Sequence, residues 1–382
     1  MKVGIATITY TKENIPYNYG NVFQNYALTI YLKNNGYEPE TIYYLADYFK
    51  TGKSKYSFGA PKMQREYNCL QIIDDAIRVC KRNFHREKLK NKTEMRNKQF
   101  KAFIEKHIIY SENDYDYSSD FSSLNEYYDC FITGSDQVWN PYWEGSNEFF
   151  YLTFTDRKKR ISYAPSITVD DIPDEIIDDY KKWIAGFDYL SVREEDGRKL
   201  ISDLFGAQAK WVCDPVFLLS KNEWLELCST ISRERYFLVY VLGKKTPFMK
   251  KRIRELEKKT GAKAIDVYTR DNPDALFAGP NDFLSLIHCA EFLYTDSFHG
   301  VAFSLIFDTP FVVEKRDQHE KEIDSRIRSL LELSDAGNRS AEYLIGNPEQ
   351  IMMNAYDKTK LDTFISDSKD YLIKALSECL QK

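Results

Sequence analysis

No apolar run in the 382-residue chain approaches the ~18 consecutive residues of a membrane span; the longest is Tyr236–Leu242. There is no surplus of positive charge either. Lys and Arg total 53 against 58 Asp and Glu, and a net charge of −5 gives no general electrostatic case for nucleic acid. The seven cysteines are odd in number and form no CxxC, which argues against a zinc site or disulfide framework and for reduced thiols in a cytoplasm. The five histidines are too dispersed for a metal cluster. GxxxxGK[ST] and GxGxxG are both missing, so neither a P-loop ATPase nor a standard NAD domain is expected. MKVGIATITY lacks the basic n-region, long h-region and small-residue cleavage site of a signal peptide and reads as a strand. No cofactor and no metal is expected.

What is present is an ordinary globular composition, 43% hydrophobic and 29% charged, with aromatics raised to 15% by 28 Tyr and 24 Phe. Val3–Ile8 is a β-type run. A polar loop follows, then Val22, Phe23, Tyr26, Ala27, Ile30 and Tyr31 at helical spacing, a stop at Asn34-Asn35-Gly36, and a second strand over 40–44. Strand, helix, strand is a βαβ unit and calls for a parallel sheet. Alternation returns at 130–132, 160–164 and 187–192, with amphipathic helices over 173–183 and 194–204. A fresh βαβ series begins at Tyr236, with helix 247–259, strand 263–267, helix 281–288, strand 291–294, helix 300–307 and strand 311–313. The fold class is therefore α/β with two Rossmann-like domains. The expected bounds are 1–232 with a helical insertion at about 60–110, 233–340, and C-terminal helices over 341–382 packing back on the first domain.

Within that insertion, Ile73, Ile77, Cys80 and Phe84 mark one helical face, and 81–101 holds nine Lys or Arg against two Glu. The segment reads as a solvated helix; the alternative is a basic surface that meets the cytoplasmic membrane face or a lipid diphosphate. Asp114-Tyr115-Asp116 resembles a metal-binding D-x-D but lies in the polar stretch SENDYDYSSD and reads as loop.

In open parallel sheets, ligands sit at the carboxyl ends of strands, at turns into helices. Thr295-Asp296-Ser297-Phe298-His299-Gly300 is such a turn: its backbone N–H groups suit an anion, and His299 can transfer a proton or hold a charge. A capping Ser with a half-buried His is the plainer alternative. Gly134-Ser135-Asp136-Gln137-Val138-Trp139-Asn140-Pro141 offers an aromatic ring face and hydroxyl-binding groups to a sugar, or else is a turn stapled by proline and a buried tryptophan. Arg193, at a strand end in Ser191-Val192-Arg193-Glu194-Glu195, grips an anionic ligand or else pairs with a neighbouring Glu. Asp214-Pro215 and Ser162–Ser166 read as structural turns.

Seven segments in order, NYGNVFQNYALTIYL at 18–32, FITGSDQVWNP at 131–141, ISYAPSI at 161–167, YLSVREEDGRKL at 189–200, VCDPVFLL at 212–219, LYTDSFHGVAFSLIF at 293–307 and DSRIRSLL at 324–331, resemble the polysaccharide pyruvyl transferase family. The resemblance implies a fold similar to the GT-B glycosyltransferases with the active site in a central cleft. It implies phosphoenolpyruvate as donor and the hydroxyl pair of a sugar or lipid-linked oligosaccharide as acceptor. The products would be a pyruvate ketal on a capsule or exopolysaccharide precursor, and phosphate. Carried across, the donor-binding positions are Arg193, Ser297, Phe298, His299 and Gly300. Many relatives have Arg-Leu-His-Gly where this chain has Ser-Phe-His-Gly, which makes Arg326 and Lys315 further candidate cations. Thr168 stands where relatives often have Gly.

Ketal formation from an enol phosphate needs a proton on the methylene carbon and a deprotonated hydroxyl, roles assigned to His299 and Asp136. Asn18, Tyr19, Gly20, Trp139 and Asn140 are the expected acceptor contacts. A GT-B glycosyltransferase using a nucleotide-sugar, or a non-catalytic carbohydrate-binding protein, would share the fold without this chemistry.

Overall fold

The computed structural model describes residues 1–8, 18–45, 86–116, 118–142, 147–230, 234–242, 245–267, 275–315, 325–353 and 356–380. The expected helical face of Ile73, Ile77, Cys80 and Phe84 lies outside the described residues. Those within Met1–Pro61, Glu105–Leu219 and Thr359–Lys382 form one compact unit, and those within Lys62–Ile104 and Ser220–Lys358 a second.

The first unit is built on five parallel strands, β1 (Lys2–Ala6), β2 (Glu38–Leu45), β3 (Tyr110–Asp116), β4 (Cys130–Thr133) and β5 (Arg160–Ser162), in the order β3-β2-β1-β4-β5. This is the Rossmann order, in which β1 and β4 diverge to opposite sides and leave a crevice at their carboxyl ends. The central strands are apolar runs because both sheet faces are covered: all of β4 is buried. The Tyr19–Asn34 helix is buried along most of its length and starts where Asn18 Oδ1 accepts from Gly20 N at 2.9 Å. A short parallel pair, β6 (Ser191–Val192) and β7 (Lys210–Trp211), extends the unit. SENDYD is no loop: it forms most of β3, the edge strand, whose exposed Glu112, Asn113 and Asp114 explain its polar reading.

The second unit has four parallel strands, β8 (Tyr236–Tyr240), β9 (Lys263–Asp266), β10 (Leu293–Thr295) and β11 (Phe311–Val313), in the order β11-β10-β8-β9. That is the flavodoxin-like arrangement, with its switch point between β8 and β10. The helices Pro247–Thr260, Pro280–His288 and Phe298–Phe307 lie where the helical spacing put them, the first stopped by Gly261 at φ 71°.

The unit bounds differ from the expected ones for visible reasons. Residues after Leu219 go with the second unit because Ser220 starts the Lys221–Leu225 helix with a capping box and Lys221 Nζ donates to Phe307 O at 3.0 Å. The Arg86–His107 helix divides near its end. Lys92 donates to Ala275 O and Gln99 to Asp282 in the second unit, while His107 meets the Tyr26 ring in the first. Residues 341–353 stay with the second unit, where buried Arg339 holds the carbonyls of Gln350, Ile351 and Met353. Only the Thr359–Leu380 helix joins the first, its Ser368 Oγ accepting from Cys213 N and its Phe364 packed on Trp211.

The exposed residues of Arg86–His107 mix Lys90, Lys98, Lys101 and Lys106 with Glu94 and Glu105, as in a solvated helix. Among the described residues, no helix is long and apolar enough to cross a membrane.

Candidate active site

The polar turn after β4 occupies the switch point of the first unit. Gly134 N donates to Ala6 O, and Thr7 Oγ1 donates to Ser135 O, so the ends of β1 and β4 are tied together. Asp136 then takes φ 71°, ψ −171°, a region in which essentially only glycine is comfortable. Its carboxylate is half-buried and accepts from Gln137 N at 2.9 Å and from Asn21 Nδ2 at 3.2 Å. Asn21 is held through Gln24, whose Nε2 donates to both Asn21 O and Thr7 Oγ1. None of Asn21, Gln24 or Thr7 was singled out from the sequence. The legible signal is a cluster of amides, Asn21, Gln24 and Asn25, in the first two turns of a helix buried along most of its length.

Arg193, the expected donor grip, is engaged by carboxylates of the first unit. Only 2% of its side chain is exposed; Nη1 donates to Asp214 Oδ2 at 2.7 Å and Nε to Glu194 Oε1 at 3.3 Å. Burial works against its charge, but Glu194, Asp214 and Asp136 outweigh that and hold the guanidinium more firmly protonated than usual. Two carboxylates thus lie against the guanidinium. Asp214 also caps the Pro215–Leu218 turn by accepting from Val216 N, in line with its structural reading. Ser166 Oγ donates to Glu194 and lies 2.7 Å from Thr168 Oγ1, and Thr168 sits at φ 62°, left-handed backbone that a β-branched residue rarely adopts.

Most of the expected acceptor contacts are likewise spoken for. Trp139 is fully buried, stacked on Tyr151 at 5.0 Å with its indole N–H donating to Phe150 O, so it offers no ring face to a sugar. Tyr19 is 2% exposed and Gly20 is buried in the helix that Asn18 caps. Asn140 closes its own turn, donating to Gln137 Oε1 and accepting from Tyr142 N. Asn18 alone of this set is exposed.

In the second unit, the turn after β10 carries the Ser297 cap of the plainer alternative. Thr295 Oγ1 donates to Tyr240 O at 2.6 Å and accepts from Ser297 N at 3.0 Å. Asp296 Oδ1 accepts from Leu242 N, tying the ends of β10 and β8. Ser297 is the N-cap of Phe298–Phe307, its Oγ accepting from Gly300 N. His299 falls in the first turn, 9% exposed, its ring edge-on to Phe298 at 5.2 Å. A Cβ on Gly300 would come 2.6 Å from Thr295 Oγ1, an atom fixed by its two hydrogen bonds. Gly300→Ala should therefore cost ~1–3 kcal/mol by overpacking. Denaturant unfolding checks this, and an unchanged midpoint would show that the turn yields.

Charge at this edge is organised by Glu314, just past β11, whose N–H donates to Thr295 O. Its carboxylate, 4% exposed, binds Arg252 Nη1 through both oxygens and accepts the Tyr294 hydroxyl. Lys245 pairs with Asp266. Lys315 follows Glu314 directly and is half-buried, whereas Arg326 is buried in the first turn of Ser325–Leu333. Among the described residues, no group of three His, Cys, Asp or Glu could hold a metal ion.

A family model described as polysaccharide pyruvyl transferase matches residues 18–317. No curated protein matches the chain. Among solved structures, the UDP-GlcNAc 2-epimerase of Methanocaldococcus jannaschii, in complex with UDP-GlcNAc and UDP, is similar at a TM-score of 0.51 and 12% identity, over 99% of both chains. A putative UDP-N-acetylglucosamine 2-epimerase from Listeria monocytogenes gives 0.52 and 10%, over 98% of this chain and 94% of that one. At such identities the likeness shows the fold alone: two Rossmann-like domains of the GT-B type.

Proposed function

The chain belongs to the polysaccharide pyruvyl transferase family, and we propose that it moves the enolpyruvyl group of phosphoenolpyruvate onto a hydroxyl pair of a sugar in a polysaccharide precursor. The methylene carbon takes a proton and C2 becomes an oxocarbenium-like centre. One sugar hydroxyl adds to C2 with loss of its proton, the C2–O bond to phosphate breaks, and the second hydroxyl closes the ketal. Of the two protons lost, one balances that taken by the methyl group and the other leaves with phosphate.

The observation that carries this reading is the turn after β10, a helix N-terminus at a switch point with a histidine in its first turn. In this reading the N–H groups of that turn and Lys315 face the donor's carboxylate and phosphate, and His299 gives the proton to carbon. Asp136 takes the proton of the attacking hydroxyl. No redox cofactor or metal enters this scheme. Calorimetric titration with phosphoenolpyruvate, with UDP and GDP as controls, tests the donor. Saturable phosphoenolpyruvate binding without nucleotide binding is the expected result; UDP binding with no response to phosphoenolpyruvate would move the protein to a nucleotide-sugar chemistry.

A further inference from the structure

We infer that Asn21 is a positioning residue of the reaction: its side-chain amide orients the carboxylate of Asp136, and Gln24 in turn holds Asn21. The inference rests on the assignment of Asp136 as the base that takes the acceptor's proton.

The contacts run from the end of β1 through the Tyr19–Asn34 helix to the turn after β4. Gln24 Nε2 donates to Thr7 Oγ1 at 3.0 Å, and Thr7 Oγ1 donates to Ser135 O. The same Nε2 donates to Asn21 O at 3.1 Å, and Asn21 Nδ2 donates to Asp136 Oδ2 at 3.2 Å. The circuit thus leaves the turn through the backbone of Ser135 and returns to it through the side chain of Asp136. Thr7, Asn21, Gln24 and Ser135 are each 3% exposed or less, whereas Asp136 is half-buried. A buried, hydrogen-bonded frame ends in a half-buried carboxylate.

The frame depends on its N–H groups. Gln24 Oε1 is buried and has no hydrogen-bond partner among the described residues, a cost that an apolar side chain would avoid. Its amide cannot be reversed, because Asn21 O has no proton to give and the Thr7 hydroxyl has given its own to Ser135 O. Asp136, for its part, holds φ 71°, ψ −171°, where a side chain is strained and glycine would not be. A side chain kept there at such a cost points to a use for its carboxylate.

Ser166 N fixes the backbone by donating to Asp136 O at 2.9 Å. The plane of the carboxylate is set by one donor on each oxygen, Gln137 N on Oδ1 and Asn21 Nδ2 on Oδ2. Gln137 N is the next residue in the chain and comes with the turn. The Asn21 contact spans 115 residues and ties the carboxylate to a separate element. Each oxygen keeps acceptor capacity for a substrate hydroxyl, and the Asn21 bond decides which way that capacity points. A base must lie within hydrogen-bond reach of the proton it takes, and a misplacement of ~1 Å can cost ~10²-fold in rate.

Kinetics of phosphate release from phosphoenolpyruvate test this in the full chain, with the methyl glycosides of galactose, glucose and mannose as acceptor probes. Asn21→Leu keeps the branched shape and loses the N–H. It should lower kcat ~10–100-fold, with the KM for phosphoenolpyruvate changed less than about twofold. In an Asp136→Ala background the same substitution should lower kcat no further, since no carboxylate is left to orient. Gln24→Leu should lower kcat ~3–10-fold yet melt no lower than the unmodified protein, because it also removes the orphaned acceptor. Equal losses in both backgrounds, or a kcat for Asn21→Leu within about twofold of normal, would overturn the inference. Turnover that survives Asp136→Ala would instead overturn the base assignment, and this inference with it. If none of the probes turns over, the melting temperatures of the unmodified protein, the two single variants and the double variant decide. The double should then lose less than the two singles summed, and strict additivity would overturn the contact. Should Asn21→Leu fail to fold, Asn21→Ser, too short to reach Asp136 Oδ2, takes its place.

Discussion

Replacing His299 by alanine is expected to lower phosphoenolpyruvate-dependent phosphate release by ~10²–10⁴-fold, the range that removal of one positioned general acid commonly costs. His299 stands in the first turn of Phe298–Phe307, after a cap formed by Ser297 and over a turn fixed by Thr295. Its low exposure of 9% keeps bulk water from competing for the proton. Because the cap uses Ser297 Oγ and not the imidazole, alanine at 299 should leave the helix start intact. The melting temperature should therefore stay near that of the unmodified protein while turnover falls. Turnover within tenfold of normal would remove the histidine from the chemistry, and a collapse of the fold would instead make its role structural.

The fold was largely legible because its cause is local. Buried parallel strands are short apolar runs, helices announce themselves by spacing and caps, and the two βαβ series appear as such in the sequence. The turn after β10 was legible for the same reason: the Ser297 cap and the Gly300 close approach involve residues within five positions of one another. What could not be read was which polar and aromatic groups were already engaged. Arg193 finds Asp214 21 residues away and Ser135 58 residues away, separations that no local pattern encodes. Trp139 looked like a sugar platform because composition gives ring type and not exposure; its burial depends on Tyr151 and Phe187 closing over it. β3 was missed because an edge strand buries little. With Glu112, Asn113 and Asp114 in solvent and Tyr115 as its buried residue, no alternation survives to be seen.

The largest stability effect is expected at Glu314. Glu314→Leu should destabilise the second unit by ~3–5 kcal/mol, because removing one member of a buried ion pair leaves the other uncompensated. Arg252 reaches Glu314 through Nη1 at 2.8 and 2.7 Å, with its own side chain only 14% exposed and stacked at 3.9 Å over the Phe248 ring. The Tyr294 hydroxyl, on the central strand β10, donates to the same carboxylate at 2.7 Å. Burial, with the Glu314 charge beside it, holds that phenol protonated well beyond its ordinary range. Losing the carboxylate thus strands a cation and a hydroxyl at once. Tyr294→Phe removes a single hydrogen bond and should cost only ~1 kcal/mol. Arg252→Met with Glu314→Leu should cost less than the sum of the two single changes, since the pair then leaves together. Urea unfolding of the four variants measures these differences. If Glu314→Leu lay within 1 kcal/mol of the unmodified protein, the ion pair would be an ordinary surface contact. The strand ends that hold the His299 turn would then owe their stability to apolar packing and to hydrogen bonds such as those of Thr295 and Asp296.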